Sequence, residues 1–168
     1  MGGARTLLAE TDILVLIAEL AIALIAASGI VTAIGGRGRE YTPADRLRIT
    51  ALFASAANPL ATSLFAMVLI SAAVHPPTVW SLAGLASVLI NIAGTLKILP
   101  KARALQRNPA SAVSLLQIVL TSTLSVASSC LLLYNAVSLG AFWPVAGVCA
   151  YYILVSVWLV RNLVLVNE

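Results

Sequence analysis

Charge is what this sequence has least of. Only 10% of its 168 residues are Asp, Glu, Lys or Arg, while 61% are hydrophobic and the mean hydropathy is +1.02. A soluble domain carries about a quarter of its residues charged, so a water-soluble fold of this length is excluded for want of surface. Histidine is nearly absent: His75 stands alone, which leaves no HExxH motif and no His-based triad. Neither GxSxG nor a Walker loop occurs either. There are two cysteines, Cys130 and Cys149, both inside apolar runs, where they serve as small packing residues rather than as a disulfide or metal pair. No enzyme and no cofactor is expected from this inventory. Acid–base chemistry needs titratable groups within hydrogen-bond reach of one another, and none is legible here.

What the sequence has is long apolar runs. They occupy residues 13–34, 48–74, 79–98, 112–137 and 141–160, each close to the twenty or so residues that cross a bilayer. Lipid cannot hydrogen-bond a backbone, so each run is helical. The expected fold is all-α: a polytopic membrane bundle of five transmembrane helices, a single membrane domain over residues 1–168. Two connections are basic. One holds Arg37, Arg39 and Arg46, with Arg48 just beyond; the other holds Lys97, Lys101, Arg103 and Arg107. The connections around His75-Pro76-Pro77 and Ser138-Leu139-Gly140 have no Lys or Arg. The positive-inside rule then puts the basic loops and the C-terminus in the cytoplasm and the N-terminus outside. The basic clustering thus explains the net charge of +4 without nucleic acid as a partner. The first apolar run lacks a small-residue cleavage site and is expected to be retained. With no targeting segment in view, a prokaryotic inner membrane is the expected location.

Local start signals are present too. Thr42-Pro43-Ala44-Asp45 supplies an N-cap, a first-turn proline and an acidic residue, and Asn108-Pro109-Ala110-Ser111 opens the fourth run similarly. Runs two and three, and runs four and five, therefore read as two hairpins of the same orientation, a parallel repeat of the kind some transporters use.

Glu19 is the most informative residue. It lies about 10 Å inside the outer boundary at 1.5 Å per residue, where a carboxylate costs a few kcal/mol or more. It shares a helical stripe with Asp12, Ala23, Ala26 and Ala33. Three roles stay open for it: a protonated acid bonded to a neighbouring helix, a proton- or cation-handling group, or an interfacial residue. The other runs carry polar stripes at helical spacing: Ser55, Asn58 and Thr62; Gly84, Ser87, Asn91 and Thr95; Ser114, Gln117, Thr121, Ser125 and Ser128. Such residues glue membrane helices together. Amides at Asn58, Asn91 and Gln117 would also line a polar cavity if the stripes converge, with Pro59 as a hinge. The candidate pathway is thus Glu19, Asn58, Pro59, Thr62, Asn91, Gln117 and Thr121. Tyr151, Tyr152 and Trp158 with Arg161 read as interfacial anchors.

From Ser81 onward the chain resembles PQ-loop transporters, the SWEET and SemiSWEET superfamily. Leu99-Pro100-Lys101 closes one run ahead of the basic stretch 102–107, Ser114-Leu115 opens the next, Tyr134 lies near its end, and Phe142-Trp143-Pro144 starts the last. The resemblance implies a solute carrier. Lys101 stands where that family has Gln, Cys149 stands near its binding-site Asn, and the two helices before Ser81 fit neither its three-helix nor its seven-helix form. The same region looks like small uncharacterised bacterial multi-pass proteins, which implies no function. The expected function is an oligomeric channel or transporter for a small ion or polar solute. Its competitor is an accessory or scaffold subunit of a larger membrane complex. Membrane lipid and either further copies of the chain or other membrane subunits are the expected partners.

Overall fold

The computed structural model describes residues 2–35, 41–107 and 115–165, with side chains over 8–33, 41–107 and 118–161. Five α-helices follow one another: α1 (Gly2–Gly35), α2 (Pro43–Ser71), α3 (Pro76–Gln106), α4 (Leu115–Tyr134) and α5 (Phe142–Leu165). All five include a span apolar and long enough to cross a membrane, and no strand occurs among the described residues. The protein is a multi-pass, all-α membrane bundle.

The helix ends have local causes. α2 starts at a complete capping box: the Thr42 hydroxyl accepts from the Asp45 amide, and the Asp45 carboxylate accepts from the Thr42 amide, both at 3.2 Å. Pro43 occupies the first turn, where its missing N–H leaves no bond unmade. Pro76 does the same for α3 after His75. The opening of α4 at residues 108–111 lies outside the described residues. α3 runs further than the apolar pattern suggests, through Pro100 to Gln106. Hydropathy marks where lipid ends, whereas a helix ends where its backbone bonds end, and α3 projects beyond the apolar layer. α4 ends in a π-helical turn, Asn135–Leu139, closed by Gly140 with φ +54°. The buried Asn135 side chain brackets the next residue, accepting from the Ala141 amide at 3.0 Å and donating to its carbonyl at 3.1 Å. Gly140 packs so tightly on Pro77 that a Cβ would lie 2.8 Å from the proline's own Cβ. The two turns are locked together.

Packing is unequal along the membrane axis. At the end carrying the two turns, Leu14, Val79, Trp80, Ala83, Leu132, Val145 and Val148 form the main core. There Trp80 meets Phe142 edge to face at 5.0 Å. At the opposite end, where the basic residues lie, the buried cluster shrinks to Leu52 and Leu159 with a few half-buried neighbours. α2 is central, packed on α1, α3 and α5. α4 leans on α3 and meets α5 sparingly. The two hairpins therefore differ: α2 and α3 pack along one another, whereas α4 and α5 diverge away from their turn.

Candidate solute cavity

Between the diverging helices is a cavity of about 480 Å³. Its walls come from the basic-end halves of α2 (Leu47 to Asn58), α3 (Ile90 to Ala102), α4 (Ile118 to Ser125) and α5 (Tyr151 to Leu159). From Arg48 at the basic end to Asn58 at the apex is about 15 Å along α2 at 1.5 Å per residue, half the hydrocarbon thickness. The volume lies within the usual range for small-molecule sites.

The polar stripes do meet, but as separate clasps between helix pairs. Asn58 is buried (2% exposed) and joins α2 to α3. Its amide donates to the Ser87 carbonyl at 3.3 Å, and its carbonyl accepts from Ser87 Oγ at 2.7 Å and Thr62 Oγ1 at 3.2 Å. Asn91 joins α3 to α4. Its amide donates to the Ser125 carbonyl at 3.1 Å and Ser129 Oγ at 2.7 Å, and its carbonyl accepts from Ser125 Oγ at 2.8 Å. Ser55 meets Ser156, oxygen to oxygen at 2.8 Å, joining α2 to α5. Each hydroxyl also lies 2.9 Å from a carbonyl of its own helix. Either hydroxyl can be the donor across the pair. These clasps satisfy groups that lipid would leave stranded. Asn58, Asn91, Ser55 and Ser125 form the polar roof of the cavity, and Thr95 and Thr121 lie lower on its wall.

The remaining candidates fall as follows. Pro59 is buried, and α2 passes through it as one uninterrupted helix. Thr62 is fully buried above the cavity, bonded to Asn58. Thr121 is exposed on α4, donates to the Ile118 carbonyl and borders the cavity. The Gln117 side chain lies outside the described residues. Glu19 is not brought to the cavity. α1 buries Leu14, Ile17, Ala21 and Ser28, and Glu19, with Ala23 and Ala26, faces outward on another side of the helix.

Tyr152 is where the sequence pointed elsewhere. It is buried (8% exposed), not an interfacial anchor, and lines the cavity beside Tyr151. Its hydroxyl is buried and faces the Ser125 side chain across the cleft. Trp158 lines the cavity while remaining partly exposed. Aromatics near the end of a last span fit an interfacial belt and a cavity wall equally well. What separates the two is the thin α4–α5 contact, which no hydropathy pattern encodes.

Known proteins give no guide. Comparison with protein families, curated proteins and solved structures returns no match. The cavity's chemistry must therefore speak for itself. Among the described residues lining it, the charged groups are Arg48 and Lys97, and neither Asp nor Glu is present. Arg48 pairs with Asp45 at 3.5 Å, at the edge of hydrogen-bond range. Lys97 is exposed. Cys130 and Cys149 are free, the first exposed and the second buried.

Proposed function

We propose that this chain is a membrane carrier for a small polar or amphipathic solute, with its cavity open toward the cytoplasm. The observation that carries this reading is the asymmetry of packing: a filled core at the turn end and a 480 Å³ cavity at the basic end, roofed near mid-membrane by Asn58 and Asn91. A solute site near the bilayer midplane, reached from one side, is the geometry alternating access requires. The orientation follows from Lys97, Lys101, Arg103 and Arg107 at one end of α3 and the uncharged turns at the other.

The test is uptake of labelled small solutes, anionic, cationic and neutral, into liposomes containing the purified protein. Wild type should move at least one class faster than protein-free vesicles. Asn91→Leu, which unties the half-buried clasp at the cavity, should reduce that flux. Equal flux with and without folded protein, for every class, would overturn the carrier reading.

A second reading has its own support. Glu19 sits on an outward helix face with Ala23 and Ala26, and a carboxylate facing lipid is costly. That arrangement favours a membrane neighbour against α1, either another copy or a partner subunit. Mild-detergent purification discriminates: a second protein held in fixed stoichiometry, and lost in Glu19→Leu, supports the subunit reading.

A further inference from the structure

The charge and shape of the cavity narrow the solute class. Resting on the carrier reading above, we infer that the cavity binds an amphipathic organic anion, a carboxylate or phosphate head on an apolar body, with the head held between Arg48 and Lys97.

Three observations converge on this chemistry. First, the formal charge among the described lining residues is entirely positive, from Arg48 on α2 and Lys97 on α3. Each stands ten residues from the Asn58–Ser87 clasp that ties its helix to the other, so both lie at a similar depth, about 15 Å below the roof. Asp45 holds Arg48 through a single long contact of 3.5 Å. A guanidinium has five donors, which leaves others for an incoming oxyanion. Second, the wall between these cations and the roof is mostly apolar and aromatic: Ile98, Leu159, Val155, Tyr151 and Trp158. A small hydrated inorganic anion gains nothing from such a wall, whereas an organic body buries its surface there. Third, the roof amides are already satisfied by their own clasps, so they demand no charge from a ligand. A cationic solute would meet two like charges at the mouth and find no carboxylate inside.

The test uses the full chain in phosphatidylcholine nanodiscs, with Trp158 as the reporter in the cavity wall. The probes are 10-bromodecanoate and 10-bromodecyltrimethylammonium, whose bromine quenches tryptophan at short range. Both partition into lipid, so the quantity of interest is the saturable quenching seen in wild type and missing in Trp158→Phe. The anion should show that saturable component and the cation should not. Lys97→Gln and Arg48→Gln should each raise the apparent Kd by about tenfold or more, as loss of a charged hydrogen bond implies, and Lys97→Arg should restore it. Circular dichroism of each variant confirms the helical fold, and Lys97, being exposed, tolerates the change. Competition by inorganic phosphate would assign the head site to free anions, and competition by phosphatidylglycerol in the disc would assign it to lipid headgroups; both keep the anion chemistry. Saturable binding of the cation equal to that of the anion would overturn the inference while leaving a solute cavity in place. No saturable binding of either probe would overturn the inference together with the cavity reading.

Discussion

The Asn58–Ser87 clasp predicts a coupling energy that can be measured directly. Asn58→Ala deletes two bonds between α2 and α3, one long at 3.3 Å and one short at 2.7 Å, plus the bond from Thr62 at 3.2 Å. In water-soluble proteins, stranding buried hydroxyls costs about 1–3 kcal/mol each. Here the cost is smaller for a specific reason. Ser87 and Thr62 sit in helices and can turn to the carbonyl four residues back, as serines and threonines in helices do. Hydrogen bonds between membrane helices average about 0.6 kcal/mol with a ceiling near 1.7, so the pair should couple by about 1 kcal/mol. The single variant should lose about 1–3 kcal/mol once the lost amide packing is included. The assay is reversible unfolding in mixed micelles, followed by circular dichroism, for Asn58→Ala, Ser87→Ala and the double variant. Asn58→Ala with Ser129→Ala is the control cycle, since Ser129 bonds to Asn91 and not to Asn58. Those two should add within about 0.5 kcal/mol. If Asn58→Ala and Ser87→Ala prove additive, the 2.7 Å bond between the two side chains contributes nothing to joining α2 to α3, and the reasoning given for it fails.

The turns offer a paired test: Gly140→Ala should cost about 2 kcal/mol or more in the same unfolding assay, because its positive φ and the 2.8 Å approach to Pro77 both resist a Cβ. Gly84→Ala, whose Cβ would meet Leu132 at an ordinary 3.6 Å, should change stability by less than about 1 kcal/mol. Ala73 has φ +55°, and Ala73→Gly should be neutral or stabilising by up to about 1 kcal/mol. Thr42→Ala breaks the capping box of α2 and should cost about 1 kcal/mol. Glu19→Leu should leave probe binding in the cavity unchanged and should not destabilise the isolated chain, because it exchanges an outward carboxylate for an apolar group.

How much of this was visible in the residues depends on which physical quantity a residue reports. Apolar run length reports bilayer thickness, so all five spans could be located. Thr42 and Asp45 report a purely local geometry: Thr42 caps α2 with Asp45 in the first turn, as the spacing implied, and the two also close a capping box. Asn58, Asn91 and Ser125 were recognisable as polar groups in lipid that need partners. Which partner each takes depends on helix neighbours, and periodicity around one axis carries no information about the next. Glu19 illustrates the limit. Its stripe of Asp12, Ala23 and Ala26 looked as suited to an interior as the stripe of Leu14, Ile17 and Ala21 that α1 buries. In an apolar solvent both faces are small and greasy, and only α2 and α5 decide between them. The extension of α3 past Pro100 was hidden for a different reason, since hydropathy stops at the headgroups while backbone hydrogen bonding does not.

The manner in which α1 is held has a consequence for assembly. Within the bilayer its buried face is Leu14, Ile17, Ala18, Ala21 and Ser28, with Ser28 bonded back to its own helix at Leu24. One side-chain tie to the rest of the described chain is at the basic end, where the Tyr41 hydroxyl donates to the Thr32 carbonyl. Among α2 to α5, by contrast, polar clasps join α2 to α3, α3 to α4 and α2 to α5. Lipid chains can stand in for apolar packing at little cost, but they cannot stand in for a hydrogen bond. These clasps among α2 to α5 do not involve α1: a chain started at Thr42 should still gather its four helices, and α1 supplied as a separate peptide should dock onto them.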